Sequence, residues 1–261
     1  MKIGYVQTSP IFGEKEQNLN QVEGLLVNVK ADLIVFPELF ATGYTFVSKE
    51  EAEALAENLN GITAQFLQKM AKITGAVIVG GFIEKENKEI FNSAMLVSET
   101  GVIGTYRKIH LYYKEKLWFS PGNHPLKVYK INSFTVGMMI CFDWIFPETA
   151  RTLAILGADI ITHPSNLVLP YCQKAMTTRC LENRVFAITS NRIGQEKRGL
   201  DNFSFTGASQ ITSFNGDVLS SGPIDKIHAD FVEIEVNKAR DKKINEFNDI
   251  IADRRIKYYY K

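Results

Sequence analysis

Three side chains of different chemistry each follow a β-rich run in this chain. Cys141 ends the apolar run Thr135-Val136-Gly137-Met138-Met139-Ile140 and precedes Phe142-Asp143-Trp144-Ile145-Phe146-Pro147-Glu148. Pro147 suits a first helical turn, so the thiol is expected at a strand-to-helix turn. Backbone N–H groups at such a turn can stabilise the oxyanion that a thiol's attack creates. Glu38 follows Asp32-Leu33-Ile34-Val35-Phe36 and is flanked by Phe36, Pro37, Leu39 and Phe40. Desolvation there raises a carboxyl pKa, as a proton acceptor near neutral pH requires. Lys108 follows Val102-Ile103-Gly104-Thr105-Tyr106. Its ammonium can lower the pKa of a nearby thiol and stabilise a developing oxyanion. Glu115, among lysines in Tyr112-Tyr113-Lys114-Glu115-Lys116, is a second carboxylate that would orient Lys108 or the substrate. Taken singly, each residue has a plainer reading: a core thiol, a loop glutamate, solvated charges. Together they spell a nucleophile, a base and an oxyanion donor.

The pattern predicts strands over 2–8, 32–36, 76–84, 91–98, 102–107, 134–140, 158–163, 186–192, 208–213 and 228–235. Helices are predicted over 15–30, 49–59, 61–74, 147–156 and 173–184, with Gly75, Gly101, Gly157 and Gly216 as punctuation. This order implies an α/β layered protein, and a hairpin of 76–84 with 91–98 implies a mixed sheet. No long linker, low-complexity tract or repeat divides residues 1–261, so one domain is expected.

Thirty basic residues against 29 acidic ones give a net charge of +1, which offers no electrostatic footprint for nucleic acid. No apolar run approaches the roughly 20 residues of a membrane helix, and the start, Met1-Lys2-Ile3-Gly4-Tyr5-Val6-Gln7, reads as a strand rather than a signal peptide. Cys141, Cys172 and Cys180 have no framework spacing, which with the missing signal points to a reducing cytoplasm. Cys172 and Cys180 lack zinc-site spacing, and Cys180 reads as core with Met176 and Leu181. His163, before Pro164, reads as a structural hydrogen-bonder rather than a papain-like catalytic partner. Gly80-Gly81 is too short for a phosphate loop.

These stretches resemble the nitrilase superfamily of carbon–nitrogen hydrolases. The resemblance is carried by FPELFATGY at 36–44, YRKIHL at 106–111 and GMMICFDWIFPE at 137–148, in the family's order, and extends to Asn248-Asp249-Ile250, Arg254-Arg255 and Tyr258. It is especially close to the small thermophile and archaeal nitrilase-type enzymes. It implies a four-layer α-β-β-α sandwich. Position by position it implies Glu38 as general base, Lys108 as oxyanion stabiliser, Cys141 as nucleophile and Glu115 as the second glutamate. The Phe142 N–H would complete the oxyanion hole. It implies no metal and no cofactor. It also implies a homodimer or higher homo-oligomer, paired through 147–156, 173–184 and a tail at about 240–261.

The reaction so implied is hydrolysis of a carbon–nitrogen bond in a small amide or carbamoyl compound, with a thioester at Cys141 and release of ammonia. Cys141-Phe142-Asp143-Trp144 resembles the amidase and carbamoyl-amine branches, whereas specialised nitrilases read Cys-Trp-Glu-Asn. The alternative is a nitrilase for small aliphatic nitriles or dinitriles, which the thermophile relatives suggest. A non-catalytic binding protein on the same fold is a third reading. Tyr44, Tyr113, Trp144, Asn166 and Tyr171 are expected to line the pocket, with Arg192 and Lys174 available to a carboxylate.

Overall fold

The computed structural model describes residues 1–259. The first half of the chain runs β1 (Lys2–Gln7), α1 (Lys15–Leu26), β2 (Leu33–Val35), α2 (Lys49–Leu55), α3 (Ile62–Thr74), β3 (Val77–Glu86), β4 (Glu89–Ser98), β5 (Gly101–Arg107) and α4 (Glu115–Trp118). The second half begins with β6 (Val128–Ile131), β7 (Phe134–Met138), a 3-10 turn at Cys141–Ile145, α5 (Pro147–Ile155), β8 (Ile160–Pro164), α6 (Cys172–Asn183) and β9 (Phe186–Ser190). It closes with β10 (Gln195–Arg198), β11 (Asp201–Ser204), β12 (Gln210–Thr212), β13 (Val218–Ser221) and β14 (His228–Glu233).

Two six-stranded mixed sheets stack face to face, ordered β14-β1-β2-β3-β4-β5 and β13-β12-β9-β8-β7-β6. The central strands β1, β2 and β3 run parallel, as do β7, β8 and β9, and the outer pairs are antiparallel. The period of two in each strand sorts its side chains into layers. In the first sheet Ile3, Tyr5, Leu33, Val35, Val79, Ala94 and Leu96 face inward, to meet Val136, Met138 and Ile160 of the second. Val6, Ile34, Ile78, Met95 and Val97 face outward, beneath Val22 and Leu26 of α1 and Leu67 and Met70 of α3. Helices α5 and α6 cover the second sheet with Leu153, Met176 and Cys180. The result is the expected α-β-β-α sandwich. Cys172 and Cys180 lie in its core as free thiols. Among the described residues no helix is long and apolar enough to cross a membrane.

The predicted elements are present, most with shorter ends, while the β3–β4 hairpin runs further than predicted, to Glu86 and from Glu89. The helix expected over 15–30 stops at Leu26, where the Val29 N–H turns back to the Leu26 carbonyl. The one expected over 49–59 stops at Leu55, because sheet pairing captures the next residues: the Glu57 N–H donates to the Ile83 carbonyl and the Lys85 N–H to the Glu57 carbonyl. The α3 helix ends at Gly75, in the left-handed conformation that favours glycine. Strands β6, β10, β11 and β13 and the short α4 were not predicted. Of the expected tail at 240–261, positions 260 and 261 lie outside the described residues.

Candidate active site

The ends of three strands converge. The loop after β2 carries Glu38, and a Cβ on Gly81 of β3 would lie 2.6 Å from the Glu38 Cα and from the Leu39 nitrogen. Only glycine lets the backbone bearing Glu38 lie this close on β3. The Gly81 N–H donates to the Pro37 carbonyl, and Leu39 takes a positive φ of 48°. Lys108 follows β5. Its N–H donates to the Asn92 carbonyl and its own carbonyl accepts from Gly122. A Cβ at Gly122 would lie 2.2 Å from the Arg107 carbonyl oxygen, so glycine is required there as well.

Cys141 follows β7 at the first residue of the 3-10 turn, with a φ of +42°. That conformation is costly for a non-glycine residue and is held only when its surroundings enforce it. Asp143, fully buried, supplies one restraint. Its carboxylate accepts from the Ile140 N–H at 2.8 Å, the Tyr106 hydroxyl at 2.7 Å and the His110 N–H at 3.2 Å. The His110 Nδ1 lies 2.7 Å from the same carboxylate. Asp143 thus ties the segment that carries Lys108 to the turn that carries Cys141. His163 supplies the other restraint. Its Nε2 lies 2.9 Å from the Cys141 carbonyl oxygen, which can only accept, so Nε2 carries the proton and Nδ1 accepts from Thr189 at 3.1 Å. Burial lowers the His163 pKa to about 4, which keeps the ring neutral. This is the structural role that the sequence suggested for it.

Lys108 sits between two carboxylates and is almost wholly buried. Its Nζ donates to Glu38 Oε1 and to Glu115 Oε1, each at 2.7 Å. Burial works against its charge, but Glu115, Glu38 and Cys141 outweigh it and raise the pKa, so the ammonium persists. Glu115 Oε1 also accepts from the Tyr44 hydroxyl at 2.8 Å, and Oε2 from the Tyr112 N–H at 2.9 Å. Burial pushes Glu115 up to about 7, against the pull of Lys108 and with a push from Glu38. The Asn92 amide donates to Glu38 Oε1 at 2.7 Å, while Glu38 Oε2 is buried with no partner among the described residues. Burial, followed by Glu38, raises the Cys141 thiol well above its usual range, and Lys108 and the Asn166 backbone N–H pull it back only in part. Lys108 does act to lower the thiol pKa, as expected, but burial and the neighbouring carboxylates outweigh it. Cys141 is thus a neutral thiol in the same buried cluster as Glu38 and Lys108.

Cys141 opens into a cleft lined by Tyr112, Phe142, Trp144, Asn166, Leu167, Val168 and Leu169. Phe142 occupies the first turn, where backbone N–H groups precede the first intrahelical bond. Of the expected lining, Trp144 and Asn166 are in place. Tyr44 and Tyr113 line a second depression with Glu115, Asp201 and Phe203. Tyr44 is buried and holds Glu115; Tyr113 is 55% exposed and reaches Asp201 at 3.3 Å. Tyr171 lines neither, being 63% exposed at the start of α6. Arg192 is also absent from the cleft: it is buried against Glu196, whose other oxygen accepts from the Tyr44 and Thr45 N–H groups. Lys174 is exposed on α6, outside the cleft. A wider depression, at Leu59, Gln68 and Ile103, lies along the edge strand β5 and shares no lining residue with the cleft.

Sequence reasoning missed Asn92, Tyr112, Asp143, Gly81 and Gly122. Their signals are weak in isolation: a polar residue inside an apolar strand, and two glycines in the dipeptides Gly80-Gly81 and Pro121-Gly122, which signal a turn but not a close backbone approach.

The sandwich and the buried carboxylate–ammonium–thiol cluster define a class. The model of the carbon–nitrogen hydrolase family matches residues 2–240, and the chain belongs to that family, within the nitrilase superfamily. It is 44% identical over 265 residues to a Pyrococcus abyssi protein named nitrilase, with 100% of both chains covered. It is 33% identical over 261 residues to an (R)-stereoselective amidase of a Pseudomonas species, covering 98% of this chain and 92% of the relative. A crystal structure of a carbon–nitrogen hydrolase from Helicobacter pylori superposes with a TM-score of 0.87, covering 99% of this chain and 96% of that one. At 23% identity, that likeness is one of fold.

Proposed function

We propose that this chain hydrolyses the carbon–nitrogen bond of a small amide or carbamoyl compound through a thioester at Cys141. The observation that carries the reading is the buried Lys108 ammonium, shared by Glu38 and Glu115 beside a strained, neutral Cys141. Glu38 takes the thiol proton as sulfur attacks the carbonyl carbon, and its free Oε2 is the acceptor. Lys108 and the Phe142 N–H hold the oxyanion. As the intermediate collapses, the carbon–nitrogen bond breaks and the proton on Glu38 passes to nitrogen, so ammonia leaves. Glu38 then takes a proton from water, whose oxygen attacks the thioester. The carbon–sulfur bond breaks and the proton returns to sulfur, leaving the acid. Glu115 keeps Lys108 charged and aimed, and is itself fixed by Tyr44 and Tyr112.

Hydrolysis of small aliphatic nitriles is the second reading, favoured by the 44% identity to the protein named nitrilase. There the thiol proton ends on the nitrile nitrogen as a thioimidate forms, and water then releases ammonia to give the same thioester. Pairing of two copies belongs to the proposal as well. Ile145, Ile155 and Leu156 around α5, Leu181 on α6 and Ile244 and Phe247 of the tail leave apolar side chains exposed.

The test is ammonia release from matched short amides, N-carbamoyl amines and nitriles, with Cys141→Ala as blank. Mass spectrometry of quenched enzyme should find the acyl group on Cys141. Ammonia release that survives Cys141→Ala would end the proposal.

A further inference from the structure

Asn166 is 2% exposed, and neither its Oδ1 nor its Nδ2 has a hydrogen-bond partner among the described residues. Interchanging the two atoms leaves both unpartnered, so the amide's orientation is immaterial. Buried side-chain polar atoms are nearly always paired, and an orphaned pair on one residue calls for an explanation. Looseness is not the explanation, because the chain is pinned on both sides. The Ser165 N–H donates to the Ser190 carbonyl at 2.8 Å and the Leu167 N–H to Asn191 Oδ1 at 2.9 Å. Asn191 is itself bound to Gly207 and Thr206. Asn166 lines the same cleft as Cys141, and its backbone N–H acts on the thiol.

We infer that Asn166 is a specificity residue that pairs with a second, neutral carboxamide on the substrate's acyl chain, an assignment that rests on the reaction proposed above. The rest of the cleft, from Tyr112, Phe142 and Trp144 to Leu167, Val168 and Leu169, contributes no charged side chain. A donor and an acceptor fixed side by side are matched by a group that both accepts and donates in one plane, which a primary carboxamide does. A nitrile or carboxylate tail would satisfy only Nδ2, and a carboxylate would also bring its charge into a cleft whose lining holds no cationic side chain to pair it. An ammonium tail would satisfy only Oδ1. The reacting carbonyl cannot use both Asn166 atoms, because its oxygen is held by Lys108 and the Phe142 N–H. The substrate class is therefore a short diamide, or a nitrile that carries a carboxamide.

The experiment compares malonamide and succinamide with their alkyl isosteres, 3-methylbutanamide and 4-methylpentanamide, and repeats the comparison with the corresponding nitriles. Wild-type enzyme should favour the carboxamide-bearing partner by roughly 100-fold or more in kcat/KM, since a site built to hydrogen-bond rejects an analogue that cannot. Asn166→Leu should lose that preference while still hydrolysing the alkyl isostere. Equal wild-type rates on the two partners would overturn the inference without any variant. So would an Asn166→Leu enzyme that slows both partners alike, which would place Asn166 on the reacting group. Ammonia release that needs Cys141 but shows no preference defeats this inference alone. The absence of Cys141-dependent release from every compound defeats the reading beneath it.

Discussion

Replacing Gly81 with alanine separates placement of the base from stability of the fold. The new Cβ would stand 2.6 Å from the Glu38 Cα and the Leu39 nitrogen, and relief to ordinary contact at 3.4 Å means a retreat of about 0.8 Å. Both obstructing atoms are backbone, and Leu39 already holds a positive φ, so the loop must move as a unit. That motion carries the Glu38 carboxylate away from Lys108 and Asn92, each now 2.7 Å from its Oε1. A misplacement near 1 Å can cost on the order of 100-fold in rate, and that is the fall in kcat expected for Gly81→Ala. Overpacking should cost about 1–3 kcal/mol of stability. Gly80→Ala is the control. Its Cβ points to the opposite face of β3 and meets the Phe40 and Leu67 side chains at 3.0 and 3.1 Å, atoms that can yield. It should lower the melting temperature to a similar degree and change kcat by less than about threefold, because the atoms it meets are side chains of the outer core that can yield without moving the Glu38 backbone. Ammonia release and thermal melts on the same preparations decide the matter. A folded Gly81→Ala enzyme with wild-type kcat, or two variants equally impaired in turnover, would refute the reasoning.

Lys108→Ala should abolish turnover and also cost roughly 3–5 kcal/mol in denaturant unfolding, because it leaves two buried carboxylates without their cation; wild-type stability in the variant would contradict that pairing. His163 has a folded pKa of about 4 against an ordinary 6.5, so between those values the unfolded chain binds more protons and stability rises with pH. On the order of 3 kcal/mol should disappear between pH 6.5 and 4 in wild type, and His163→Gln, which keeps a donor for the Cys141 carbonyl, should flatten that slope in pH-dependent melts. Glu115→Gln should fold and lose most activity, and wild-type rates would contradict the role given to Glu115. Light scattering at micromolar concentration should give the mass of two or more copies, and a monomeric mass would count against pairing.

Two of the three strands that carry the site, β2 and β7, were readable because they are almost wholly buried. Leu33-Ile34-Val35-Phe36 and Val136-Gly137-Met138-Met139-Ile140 are unbroken apolar runs, and a polar residue at the end of such a run stands out, whereas the edge strand β5 is half exposed and was read from its β-branched residues. The unread strands lack that signature. In β10 and β11, Gln195-Glu196-Lys197-Arg198 and Asp201-Asn202-Phe203-Ser204 are polar but for Phe203, and what holds the hairpin in place is non-local: Arg198 on Glu51, Asp201 on Lys114, Glu196 on the Tyr44–Thr45 backbone and Phe203 against Tyr44. Sequence spacing carries no trace of such pairings. The pocket was read from residue type, and Tyr171 shows the limit of that. It lies on a loop that leads from the site, but its side chain points to solvent. Asp143 shows the converse. It reads as a turn residue after the thiol, and only the fold brings Tyr106 and His110 to it.

On the proposed reaction, the sharing of one ammonium by two carboxylates also bears on how the product leaves. An uncharged amide or nitrile meets no electrostatic barrier on entry. Its hydrolysis leaves a third carboxylate in a closed space where Glu38 and Glu115 already compete for Lys108. Low-dielectric surroundings magnify that repulsion. On the proposed reaction the acid should therefore bind weakly and be a poor inhibitor, while the equilibrium itself stays that of the compounds in water. The charge arrangement that would hold the oxyanion would also keep the product from lingering.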